Sequence, residues 1–117
     1  MNTEVFRNHC LQKKHTEEGF PFDETTLVFK LKGKIFALLS LKEDSRTCNL
    51  KCDPEKAIAL REKFKGVVPG YHMNKKHWNT ISFDEDVSDE LILELIDHSY
   101  NLIHTSFSKK IQKELSL

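Results

Sequence analysis

An α+β domain in which an antiparallel sheet packs against helices is what this sequence predicts, and three observations carry the prediction. Residues 26–52 hold three short apolar or alternating stretches separated by turn residues, the pattern of a β-meander. Asp53-Pro54-Glu55 is a strong helix start. Ile92, Leu95, Ile96, Ile103 and Phe107 recur at helical spacing near the end of the chain. The resulting order is α-β-β-β-α-β-β-α. With 117 residues and no internal repeat or linker, it makes one domain over 1–117.

Thr3 can cap a first helix running to about Lys14, with Val5, Phe6, Cys10 and His9 on its apolar side. Gly19 and Pro21 then break helical geometry, and Phe20 and Phe22 are expected to plug the edge of the core. From Thr26 to Leu31, Leu27, Phe29 and Leu31 take one face and Thr26, Val28 and Lys30 the other, which predicts a strand covered mainly on one side. Lys32-Gly33-Lys34 is a tight turn, because hairpin loops of two residues need positive φ and glycine supplies it. IFALLSL follows as a central strand, and Arg46 to Cys52 alternates as a third.

Asp53 suits the N-cap of the next helix, where Ala57, Leu60, Arg61 and Phe64 mark the pattern up to Gly66. Val67-Val68 is a short strand, Pro69-Gly70 a turn, and Trp78 to Phe83 a strand. Ser88 can cap the last long helix, with a basic tail from Lys109 extending it.

The formal charge is zero, from 18 Lys and Arg against 18 Asp and Glu, so no global basicity argues for nucleic acid. The charge is nevertheless segregated along the chain. Residues 56–80 carry a net +5 and residues 81–104 a net −7. Because salt screens charges beyond ~8–10 Å, a local basic surface can exist on a neutral molecule. No apolar run is long enough to span a membrane, and the opening residues lack a signal-peptide core, so a cytoplasmic location without membrane association is expected. Cys48 and Cys52 on one strand would stand roughly 13 Å apart at ~3.3 Å per residue, too far for a disulfide. With Cys10, they are read as small core residues.

The chain holds no glycine-rich phosphate loop, no serine elbow and no zinc-ligand spacing. His72 and His77, five apart, fit no common metal pattern, and His98 and His104 lie on different sides of a helix. No carboxylate has a neighbour that would tune it as an acid or base. A protein that is not an enzyme, with no cofactor and no metal, is therefore expected.

Residues 71–80 stand out. They combine Lys75 and Lys76 with His72 and His77, the amides Asn74 and Asn79, Tyr71 and the only tryptophan, Trp78. Such a mixture supplies phosphate contacts and aromatic surface. It equally suits an irregular loop held by hydrogen bonds around a core indole. Lys32 and Lys34 at the hairpin turn, with Lys30, Lys42 and Arg46 nearby in sequence, give a second candidate surface, although turn lysines also serve solubility.

FPFDETTLVFKLKGKIFALLSL, NLKCDPEKAIALREKF and VVPGYHMNKKHWNTISFD together resemble the MmcQ/YjbR family of small bacterial proteins, over about residues 3–107. The most specific stretches are Phe20-Pro21-Phe22, the Lys-Gly-Lys hairpin before Phe36-Ala37, and residues 71–78. The resemblance implies a CyaY-like or secretion-chaperone-like fold. It also implies DNA binding through a double-wing arrangement of hairpins, with Asn74, Lys75, His77 and Trp78 carried over as contacts or as structure. The leading expectation is a monomeric, non-enzymatic DNA-binding protein. Its nucleic-acid-binding residues would be Lys32, Lys34, His72, Asn74, Lys75, Lys76, His77 and Trp78. The alternative is a protein-interaction module, chaperone-like or adaptor, with no nucleic-acid role.

Overall fold

The computed structural model describes every residue, Met1–Leu117. In chain order the elements are α1 (Thr3–Leu11), β1 (Thr16–Gly19), β2 (Thr26–Leu31), β3 (Lys34–Ser40), β4 (Thr47–Lys51), α2 (Pro54–Lys63), β5 (Val67–Pro69), β6 (Trp78–Ser82), α3 (Asp89–Ser106) and α4 (Lys109–Leu115). The strands form one antiparallel sheet in the order β1-β2-β3-β4-β6-β5. The meander, α2, the β5–β6 pair and α3 fall where the apolar periodicity predicts them.

Four local expectations are corrected. Asn2 rather than Thr3 caps α1, accepting the Val5 N–H at 2.8 Å, and the helix ends at Leu11. Residues 16–19 form a strand paired to β2, although Thr-Glu-Glu-Gly has no apolar alternation; a turn with His15 at φ 63° delivers it to the sheet edge. Phe20 and Phe22 are 51% and 64% exposed, so they do not plug the core. The basic tail is a separate helix, α4, started afresh by Ser108 accepting the Ile111 N–H.

The core lies between one sheet face and the helices. Phe6 of α1 meets Phe29 and Phe83, and Phe36 makes an edge-on contact with Tyr100 of α3. A register irregularity between Phe29 and Lys30 of β2 gives β3 one extra residue there, so Phe36 and Ala37 both face the core. Ser99, fully buried in α3, donates to the Phe36 carbonyl at 2.5 Å and accepts the Lys51 N–H at 3.0 Å, tying α3 to both strands. The opposite sheet face carries no helix. There Trp78 lies against Val28 and Leu38, with Ile35 and Met73 beside them, as a second, smaller apolar cluster. No helix is long and apolar enough to cross a membrane.

Candidate functional site

The strand directions sort the loops between the two ends of the sheet. The β2–β3 hairpin tip, the β4–α2 junction and the β5–β6 loop emerge at one end. The residues leading into β1 and the α3–α4 corner join them, since Lys14 Nζ donates to the Ser116 carbonyl and Lys34 reaches Ser106. The turns before β2, between β3 and β4, and after β6 emerge at the other end. β2 spans six residues, about 20 Å at ~3.3 Å per residue, or more than twice the screening length of ~8 Å at physiological salt. Charge at one end is therefore not cancelled by charge at the other.

The first end gathers cations from distant parts of the chain: Lys14, Lys32, Lys51, Lys75, Lys76, Lys109 and Lys110. None of these lysines forms an ion pair. Among the acids there, Asp53 caps α2 and Asp97 is engaged by Lys13 and His9; Glu17, Glu55 and Glu114 remain. The opposite end collects Asp23, Glu43, Asp44, Asp84, Glu85, Asp86 and Asp89. Lys42 and Arg46, grouped with the hairpin lysines in the sequence reading, lie at this acidic end, where Arg46 pairs with Asp84 at 2.5 Å.

At the basic end, Lys32 has φ 47° and Gly33 φ 81°, as a two-residue hairpin turn demands. Glycine takes that conformation freely, but a lysine there is strained. Lys34 turns toward the helices: its Nζ stands 4.5 Å from the Phe107 ring centroid and donates to Ser106 Oγ at 3.0 Å. Its ammonium is thus committed to the end of α3, whereas Lys32 is exposed with no partner.

Within the β5–β6 loop the bracing groups are neutral. Asn74 Oδ1 accepts the N–H groups of Lys76 and His77 at 2.9 and 3.2 Å, and the Asn74 carbonyl accepts those of His77 and Trp78. Gly70 sits so near Trp78 that a Cβ would fall 2.8 Å from the Trp78 Cβ, so only glycine fits. Arg61 of α2 donates to the Lys75 carbonyl at 3.2 Å. Within this frame Trp78 is 9% exposed and His77 half-buried, while Tyr71, His72, Lys75 and Lys76 project into solvent. Asn74 is occupied as the brace of the loop.

Of the residues singled out from sequence, Lys32, His72, Lys75 and Lys76 thus share one end with exposed side chains, that of Lys75 lying over the Tyr71 ring. Lys51 and the α4 lysines were missed. Their signal, the Lys109-Lys110 pair after α3 and a single lysine at the end of β4, becomes meaningful only once the sheet order brings those segments together.

Elsewhere, the largest cleft, about 650 Å³, opens beside α1 at the acidic end. Leu27, Leu39, Leu41 and Phe20 line it, and the Arg7–Glu18 pair, with contacts of 2.7 and 2.6 Å, lies at its side. Cys10, Cys48 and Cys52 are free and buried; burial pushes each thiol up, that of Cys52 to about 11. No three His, Cys, Asp or Glu side chains converge as a metal site would require.

The YjbR family model matches residues 11–102. The chain is 37% identical over 112 residues to the uncharacterized protein YbdF of Escherichia coli O157:H7, covering 96% of this chain and 92% of that one. It is 33% identical over 92 residues to the uncharacterized protein YjbR of Escherichia coli K12, covering 79% and 78%. Among solved structures, a Deinococcus radiodurans protein of domain DUF419 superposes with a TM-score of 0.93 at 40% identity, over 99% of this chain and 88% of that one. A Pseudomonas syringae protein superposes with a TM-score of 0.75 at 30% identity, over 87% and 98%.

Proposed function

We propose, from the premise that this chain belongs to the YjbR family, that it is a cytoplasmic, non-catalytic DNA-binding protein whose basic end contacts backbone phosphates. The observation that carries this reading is the gathering of unpaired lysines from the hairpin tip, the β5–β6 loop and α4 at one end of the sheet, with the carboxylate cluster at the other. The two hairpins act as the wings of the site. Lys32, Lys75 and Lys76 are the phosphate contacts, with His72 beside them as a hydrogen-bond donor. Asn74, His77 and Trp78 hold the loop, and Lys34 braces the hairpin against α3. The conformation of Lys32 supports the reading, since backbone strain retained at an exposed position suggests a side chain kept for contact.

The test is a titration of labelled duplex and single-stranded DNA at low and moderate salt. Affinity is expected to fall steeply with salt, because each phosphate contact releases counterions. Lys75→Ala with Lys76→Ala should flatten the salt dependence by about two phosphate contacts. As both side chains are exposed, stability should change by less than about 0.5 kcal/mol. Absence of saturable binding to either form at low salt rejects the proposal.

One observation favours the alternative of a protein-interaction module. Phe20 and Leu41, 51% and 39% exposed, line the cleft beside α1, and Phe22, two residues beyond Phe20, is 64% exposed, an apolar surface suited to apolar side chains of a partner protein. A stoichiometric partner retained after nuclease treatment, lost on Phe20→Ser with Phe22→Ser and kept by the lysine double variant, supports that reading.

A further inference from the structure

Trp78 is buried in the small cluster on the open sheet face, which leaves Tyr71 as the exposed aromatic of the β5–β6 loop, with 62% of its surface in solvent. The ring makes no aromatic pair within the protein. Its backbone is held on both sides. The Tyr71 N–H donates to the Pro69 carbonyl at 2.9 Å, the Gly70 N–H to the Trp78 carbonyl at 2.7 Å, and the Met73 N–H to the Gly70 carbonyl at 3.0 Å. The close approach of Gly70 to Trp78 ties this corner to β6. Lys75 Nζ lies over one face of the ring, 5.3 Å from its centroid, so a base stacked on the opposite face would bring its own phosphate near an ammonium group.

An exposed aromatic on a braced loop, next to a cation and at a basic end, has the components of a stacking platform for a nucleobase. The bases of a duplex are already stacked on each other, and only an unpaired base has a free face. We propose that Tyr71 stacks on one unpaired base, making single-stranded DNA the preferred ligand of this end. The inference rests on the DNA-binding reading above and goes beyond it by naming the strand form and the residue that selects it. One platform per molecule gives a preference for strand form with little for sequence.

Fluorescence anisotropy with short labelled oligothymidylate and with a duplex of equal length tests this at low salt. The parent protein should bind the single strand more tightly. Tyr71→Ala should weaken single-strand binding by about tenfold, the effect of losing one stacked base, and leave duplex binding unchanged, while Tyr71→Phe keeps the single-strand affinity. The ring is exposed, so the folded state tolerates both changes, and a melting curve confirms it. Undiminished single-strand binding by Tyr71→Ala, or an equal loss on both ligands, overturns the inference and leaves the phosphate reading standing. Failure of the parent to bind either ligand overturns both.

Discussion

At the acidic end of the sheet, carboxylates hold the loops together. Asp86 accepts the N–H groups of Lys65 and Gly66 at 2.9 and 2.8 Å, Asp84 pairs with Arg46, and Asp23 accepts from Thr25 and Thr26. At the basic end the β5–β6 loop is held chiefly by neutral groups, the Asn74 amide, the close approach at Gly70 and the Trp78 indole, with Arg61 donating to the Lys75 carbonyl. At one end Asp23, Asp84 and Asp86 are engaged in holding loops. At the other, Lys32, Lys75 and Lys76 form no ion pair and are exposed, even though Lys14 and Lys34 there are hydrogen-bonded. Net charge hides this difference, which is why a neutral chain can still present a basic surface.

Three measurements press on the contrast. The largest effect is expected from Trp78→Ala, which removes most of the small cluster over Val28 and Leu38 and should cost about 3–5 kcal/mol in denaturant unfolding. Near-zero cost would mean that the basic end does not depend on its neutral scaffold.

The second concerns acid. The Gly66 and Lys65 amides hold the Asp86 carboxyl below the ordinary aspartate value of 3.8. A carboxyl depressed in the folded state adds stability that is complete above its unfolded value and disappears as pH falls through its folded one. In NMR titration below pH 4, the Lys65 and Gly66 amides should therefore shift as their acceptor protonates. The Lys76 and His77 amides, bonded to an amide oxygen that does not titrate, should stay in place. Equal movement of both pairs would erase the distinction between the ends.

The smallest effect is at the hairpin tip. Asparagine tolerates positive φ better than lysine, so Lys32→Asn should raise stability by roughly 0.5–1 kcal/mol while weakening DNA binding. A variant that binds DNA as well as the parent would remove Lys32 from the interface.

Much of the fold was legible because burial writes a period into the chain. Leu27-Phe29-Leu31, Cys48-Leu50-Cys52 and Ile92-Leu95-Ile96 each face one core, and Asp53-Pro54 and Ser88 announce their helices. β1 was not legible, since an edge strand of Thr-Glu-Glu-Gly is held by pairing to β2 rather than by its own side chains. Phe20 and Phe22 misled because residue type alone argues for burial, whereas their exposure depends on how the chain leaves β1. At the site, Lys75 and Lys76 were visible as a local cluster. That they share an end with Lys32 and Lys109, and not with Lys42 and Arg46, follows from strand order, which no local window contains. Trp78 was ambiguous for a similar reason: it alternates with Thr80 and Ser82 on the side away from the helices, and Val28, Leu38 and Met73 from other elements bury it.

The three interior thiols have one more consequence. A cysteine must surrender its proton and meet its reactant before it attacks peroxide or a disulfide. Cys10, Cys48 and Cys52 do neither in their apolar surroundings at neutral pH. Peroxide or a disulfide therefore finds no ready thiolate on the native state, and thiol exchange reaches these three positions only once the core has opened.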